Sequence, residues 1–151
     1  MSEKSPPGSG FEGPRVIVAG VDGSDTSMRA AAYAWGLARR HDARLVMVHV
    51  SPLTALSTLT PGGAAAMREA SEEVAAELRE EFRRALRRGP AVRYEFVTEQ
   101  GDAATVLARV ADETRADAVI VGASAQAGHR LVGSVAVRLV RAGRWPVTVV
   151  P

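Results

Sequence analysis

Short apolar runs alternate with longer stretches of helical periodicity along most of this chain. Arg15–Val21 (RVIVAGV), Arg44–Val50 (RLVMVHV) and Ala118–Val121 (AVIV) are near-continuous apolar runs of strand length. That pattern is expected of strands buried on both faces. Val147–Val150 is a shorter run of the same kind behind Trp145-Pro146. Val92–Thr98 differs, with Val92, Tyr94 and Phe96 set against Arg93, Glu95 and Val97, which predicts an edge strand with one wetter face. Between the runs, Thr26–His41 spaces Met28, Ala31, Ala32, Trp35, Leu37 and Ala38 as a helix does. Asp22-Gly23-Ser24-Asp25 before it is a turn with N-cap chemistry. Met67–Arg88 is a long amphipathic helix ended by Gly89-Pro90, and Gly101-Asp102 caps a helix through Thr114. A last helix enters at Gly133-Ser134 and ends near Gly143. Ser51–Ala66, with Pro52, Pro61, Gly62 and Gly63, is too long for a simple connection and is a candidate flap.

Strands alternating with helices in this way form right-handed crossovers, hence an α/β fold: a doubly wound, five-stranded parallel sheet with helices on both faces. In such a sheet ligands sit beyond the C-terminal ends of the strands, where the winding reverses. The residues at those ends are Asp22, Val50, Gly122 and the Gly133-Ser134 turn. They are far apart in sequence, and the topology brings them to one rim. The loop from Gly122 through Ser124 and Gly128 delivers backbone N–H groups and a hydroxyl to a helix N-terminus, which makes an anion site. Its glycines serve equally to turn a strand tightly into a helix, and the loop alone favours that plainer role. Asp22 and Ser134 each have a plain alternative as well, as Asx-turn and N-cap residues.

At 151 residues the chain is of ordinary single-domain size. Residues 1–14 (MSEKSPPGSGFEGP) are polar and rich in Pro, Gly and Ser, and read as a disordered tail before a domain spanning 15–151. No apolar stretch reaches the roughly 18 residues of a membrane span. Cysteine is absent, which excludes disulfides, thiolate nucleophiles and cysteine metal sites. The expected location is the cytoplasm, with no membrane partner.

Formal net charge is only +2. The densest basic group, Arg83, Arg84, Arg87 and Arg88, follows Glu72, Glu73, Glu77, Glu80 and Glu81 on one helix, the arrangement of a self-paired, solvated face. Aromatic residues for base stacking are scarce, so nucleic acid is not an expected partner.

Competing chemistries fail on their residues. A Walker A loop needs Gly-Lys-Ser/Thr, and the sole lysine is Lys4 in the tail. No G-x-G-x-x-G follows the first or fourth strand. GASAQ (Gly122–Gln126) lacks the closing glycine of a nucleophile elbow. His41, His49 and His129 have no metal-ligand spacing. His49 reads as a packed, hydrogen-bonded core residue, whereas His129 lies in the glycine loop beside Arg130. Asp22 and Asp25 are the carboxylates placed to share a magnesium ion with bound phosphates. No nucleophile, base and orienting acid assemble, and an enzyme is not expected.

The residues IVAGVDGS (Ile17–Ser24), VHV (Val48–Val50), GDAATVLARVADETRADAVIVGAS (Gly101–Ser124) and LVGSVAVRLVRAGRWPVTVV (Leu131–Val150) together resemble the universal stress protein family. The likeness covers nearly all of the chain from Arg15 to Val150. It implies a Rossmann-like sheet of strand order 3-2-1-4-5, a homodimer through the last strand, a role in stress response and, in many members, bound ATP. By the same resemblance, Asp22 reads the adenine or ribose and Val50 contacts adenine through its backbone. Gly133 and Ser134 hold phosphate at a helix N-terminus, with positive φ expected at Gly133. ATP-binding members carry Gly-x2-Gly-x9-Gly-Ser/Thr, whereas here Ala125 stands three residues after Gly122, with seven residues before Gly133. The loop is thus about two residues short and lacks one glycine, for which Gly128 is the available substitute. Three functions follow: a regulatory protein binding ATP or another adenine nucleotide, with magnesium as an accompanying ion; a dimeric interaction module without ATP that favours a smaller nucleotide such as cyclic AMP; and, last, a weak ATPase or phosphotransferase, against which stands the lack of a lysine to stabilise transferring phosphate.

Overall fold

The computed structural model describes residues 13–53, 59–124 and 132–151. The elements run β1 (Val16–Gly20), α1 (Asp25–His41), β2 (Arg44–Ser51), α2 (Gly63–Leu86), β3 (Tyr94–Gln100), α3 (Ala103–Glu113), β4 (Ala118–Gly122), α4 (Ser134–Ala142) and β5 (Val147–Val150). All five strands are parallel in the order β3-β2-β1-β4-β5, as expected. β1 is central: Ile17 pairs with Leu45 on one side and Ala118 on the other. The Asp117 carboxylate accepts from the N–H groups of Arg15 (2.8 Å) and Val16 (2.9 Å), fixing where β1 begins.

Strand alternation splits the core between the two faces. Ile17, Ala19, Leu45, Met47 and Ile120 pack with Ala30, Ala31, Ala34 and Ala38 of α1 and Phe82 of α2. Val18, Val46, Val48, Val119 and Val121 pack with Val106, Leu107 and Val110 of α3 and Ala136 and Leu139 of α4. Alanines along the buried stripe of α1 let that helix lie close over the centre of the sheet. The stripe is turned from the one expected: Ala30 and Ala34 are buried and Ala32 is exposed. Met28, Trp35 and Leu37 flank the stripe because only small side chains fit beneath the helix.

Two boundaries also differ from expectation. α2 starts at Gly63 rather than Met67, since Ala64-Ala65-Ala66 are strong helix formers and Gly62, at φ 80°, supplies the turn into them. The connection after β2 is therefore shorter than Ser51–Ala66, and residues 54–58 of the candidate flap lie outside the described residues. β3 occupies Tyr94–Gln100 rather than Val92–Thr98, in register with β2 from Leu45↔Tyr94 to Ser51↔Gln100. Phe96 packs toward Phe82 (ring centroids 6.1 Å apart), while Val97 packs on the opposite core, so both faces of this edge strand are partly covered. Among the described residues, no helix is long and apolar enough to cross a membrane.

Asp102 caps α3 as expected, its Oδ2 accepting from Thr105 N (2.9 Å) and Thr105 Oγ1 (2.6 Å). Its other oxygen accepts from Arg138 Nη1 at 2.7 Å and so ties α3 to α4. The Arg138 guanidinium and then the Thr105 donors hold the Asp102 carboxyl far below its ordinary 3.8. A carboxylate depressed on folding stabilises above its unfolded pKa and loses that contribution as pH falls toward the folded value. Asp102→Asn is therefore expected to lower the melting temperature slightly at pH 6 and to narrow the gap to the parent protein as both are taken below pH 4. A gap that stays constant from pH 6 to pH 2 would count against this linkage.

Candidate functional site

β1, β2 and β4 end at one rim, where a cavity of about 360 Å³ opens between the strand ends and the N-termini of α1, α3 and α4. That size is in the range of small-molecule sites. Asp22, Val50, Gly122, Ser124, Gly133 and Ser134 all line it. Gly128 lies outside the described residues, as does His129.

The turn after β1 is organised by Asp22 and the hydroxyls of Ser24 and Ser27. Asp22 Oδ1 accepts from Ser24 N (2.9 Å) and Ser24 Oγ (2.6 Å), an Asx-turn. Ser24 is the N-cap of α1, and its Oγ accepts from Ser27 N at 3.3 Å. The buried Ser27 hydroxyl donates to Ser24 O (3.0 Å) and accepts from Asp22 N (3.2 Å). Desolvation works to raise the Asp22 pKa, but the Ser24 hydroxyl and N–H outweigh it and hold the carboxyl below its ordinary value. The residue is thus a carboxylate at neutral pH with one oxygen committed to the turn.

Val50 offers its backbone. Arg44 N donates to Arg15 O and Leu45 N to Arg93 O, so even-numbered residues of β2 turn their polar groups toward β1 and odd-numbered ones toward β3. The N–H and C=O of Val50 accordingly face the side on which β1 has already ended at Gly20.

Gly122 lines the cavity and also gives clearance to a neighbouring segment. A Cβ on it would lie 2.5 Å from Thr26 C, 2.6 Å from Ser27 N and 2.7 Å from Thr26 O. The residue lets the first turn of α1 rest against the end of β4, where Thr26 Oγ1 donates to Ala123 O at 2.7 Å. Gly133 makes a second close approach, since a Cβ there would sit 2.7 Å from Ser124 Cβ. Its φ is −77°, so the expectation of positive φ is corrected: space, not backbone handedness, calls for glycine.

Among the described residues, no side chain caps the N-terminus of α4. Ser24 caps α1 and Asp102 caps α3, but Gly133 provides no side-chain cap. Val137 N is the first to bond within the helix, to Gly133 O at 3.1 Å. The N–H groups of Ser134, Val135 and Ala136 precede it, and all three residues line the cavity. With the positive end of the helix dipole behind them, they suit an anion.

The chain pattern did not single out Thr26 and Ser27. The hydroxyl run Ser24-Asp25-Thr26-Ser27 is visible in the sequence, but the Thr26–Ala123 bond spans 97 residues and only folding reveals it. His49 is buried as expected, with Nδ1 3.0 Å from Val21 O. Among the described residues, no three His, Cys, Asp or Glu side chains cluster to hold a metal ion.

The sequence model of the universal stress protein family matches residues 14–151. Universal stress protein MJ0531 of Methanocaldococcus jannaschii is 31% identical over 146 residues, covering 89% of this chain and 80% of that protein. Among solved structures, universal stress protein UspA from Lactobacillus plantarum superposes with a TM-score of 0.77 at 22% identity, covering 90% of this chain and 97% of that one. A universal stress protein in complex with cAMP superposes with a TM-score of 0.60 at 27% identity, covering 91% and 97%. With its 3-2-1-4-5 sheet and a family match over nearly its whole length, this chain belongs to the universal stress protein family.

Proposed function

We propose that this protein is a cytoplasmic, non-enzymatic stress-response regulator that binds an adenine nucleotide in the rim cavity. The observation that carries this reading is the N-terminus of α4, uncapped among the described residues, which opens into the same cavity as the Val50 backbone and Asp22. Phosphate lies at Ser134–Ala136, with Ser124 beside it. The base lies toward Val50, and Asp22 meets the nucleoside. Adenine nucleotides suit these groups: one or more acceptor-rich phosphates for the helix end, and a polar base edge for a strand backbone. A magnesium ion accompanying ATP would rest chiefly on phosphate oxygens, because the described residues offer no carboxylate cluster.

Titration calorimetry with ATP, AMP, cyclic AMP and adenosine tests the proposal. Ser134→Ala should weaken the phosphorylated ligands by about 1–3 kcal/mol and leave adenosine unchanged. Asp22→Ala should weaken all four. No heat from any of them at millimolar concentration, with or without magnesium, would overturn the reading and leave the interaction module. The shortened Gly122–Gly133 loop favours AMP or cyclic AMP over ATP, which predicts tighter binding of the smaller ligands.

The same reading includes a homodimer through β5, an edge strand of half-buried residues. Val119 N donates to Pro146 O and Ala123 N to Val150 O, so even-numbered β5 residues bond to β4 and the N–H of Val149 faces outward. Val149→Pro removes that outward donor and spares the β4 ladder. Light scattering should show a dimer for the parent chain and a monomer for Val149→Pro; a parent monomer at tens of micromolar would refute the assembly.

A further inference from the structure

His49 is a buried, ionisable side chain in an otherwise apolar strand, and core packing alone does not account for its polar contact. The ladder between β1 and β2 pairs Gly20 with Val48 and continues one bond further, Val21 N donating to Val48 O at 2.9 Å. The next bond in a regular parallel ladder would run from Val50 N to Val21 O. In its place, His49 Nδ1 meets Val21 O at 3.0 Å. A carbonyl only accepts, so Nδ1 carries the hydrogen. The ladder therefore stops one bond early, and it stops at the cavity, which both Val21 and Val50 line.

We propose that His49 is a positioning residue for base recognition: by holding the Val21 carbonyl to its ring, out of line with the ladder, it keeps the Val50 N–H out of the sheet and available to a ligand. This rests on the adenine-nucleotide reading of the cavity. Val50 then presents a donor and an acceptor on the same side of an extended strand. That pair matches a base edge with a ring-nitrogen acceptor beside an exocyclic amine, as adenine has and hypoxanthine lacks. Without His49, Val50 N–H would pair with Val21 O, and the strand ends would close into plain sheet.

The test has two independent arms. In the ligand-free protein, amide hydrogen exchange at Val50 should be fast in the parent and in His49→Asn, whose amide can still donate to Val21 O. In His49→Leu it should slow by about tenfold or more as Val50 N–H joins the ladder. Equal exchange in all three overturns the positioning role whatever the cavity binds. The second arm compares AMP with its 1-deaza and 7-deaza analogues, each lacking one ring acceptor. The parent and His49→Asn should lose about tenfold in affinity on one of the two analogues, the value of one hydrogen bond. His49→Leu should bind AMP about as weakly as that analogue and no longer distinguish them. A histidine that merely filled space would weaken AMP and both analogues alike when replaced, and that outcome refutes the proposal. Slowed Val50 exchange with no AMP binding in the parent would instead refute the nucleotide reading and keep His49 as the residue that stops the ladder.

Discussion

Gly122→Ala is expected to destabilise the protein by about 3 kcal/mol, at the upper end of the range for overpacking a core. The added methyl would meet Thr26 and Ser27 at 2.5–2.7 Å, and the atoms it meets are backbone, so no side chain can swing aside to admit it. Relief requires α1 to lift from β4. That movement breaks the Thr26–Ala123 hydrogen bond and pulls on the Ser24, Ser27 and Asp22 network in the same turn. For a chain of this size the loss corresponds to about 10 °C in melting temperature. Calorimetric unfolding of the variant beside Gly20→Ala makes the comparison. At Gly20 the nearest neighbour is a terminal methyl of Leu107 at 3.2 Å, which can give way, so the cost there is expected to be smaller. Equal, small losses at both sites would show that the α1–β4 approach is soft.

Gly133→Val is expected to separate binding from folding. Its Cβ meets Ser124 Cβ at 2.7 Å, so the loop after β4 and the start of α4 must part. The backbone angle itself, −77°, is open to any residue, and the effect on stability should be modest beside that of Gly122. The effect on a phosphate should be large, because the Ser134–Ala136 N–H groups shift and a branched side chain stands before them. Losing one or two hydrogen bonds to a charged group corresponds to about 3 kcal/mol, or about a hundredfold in affinity for AMP. Adenosine, which has no phosphate to place, should bind within about threefold of the parent. Calorimetric titration with both ligands decides; a parallel hundredfold loss for adenosine would move the phosphate away from α4.

The sheet was legible because its signals are local. Ile17–Val21, Leu45–Val50 and Ala118–Val121 carry enough consecutive apolar residues to be buried strands whatever surrounds them. The crossover rule then sets the hand of their connections, while the strand order came with the family resemblance. Asp102 and Gly143 were readable as helix ends for the same reason: caps are settled within one turn of chain. The misses were tertiary. The buried stripe on α1 depends on how closely the helix approaches the sheet, and Ala30 and Ala32 look alike in sequence. Gly122 and Gly133 could be chosen as special from their place in a loop, but whether each supplies a turn, a phosphate cradle or clearance for another segment depends on what lies opposite. The early stop of the β1–β2 ladder at His49 was hidden because register and side-chain reach must both be known before a missing bond can be seen.

The central position of β1 has a consequence for how the chain assembles. Its first residues are held by Asp117, 101 residues beyond Val16, and its last residue lines the same cavity as the start of the helix at Ser134. The rim cavity is walled by the earliest and the latest crossovers of the chain, so it exists only after the longest loop closure has been made. Parallel sheets of this kind fold slowly because such closures cost entropy before they return contacts. A small molecule held between the Asp22 turn and the α4 N-terminus would stitch the two ends of that closure together and stabilise the fold in proportion to its concentration. The protein would then carry a coupling between ligand supply and its own lifetime: abundant ligand protects it from local opening and proteolysis, and scarcity exposes it.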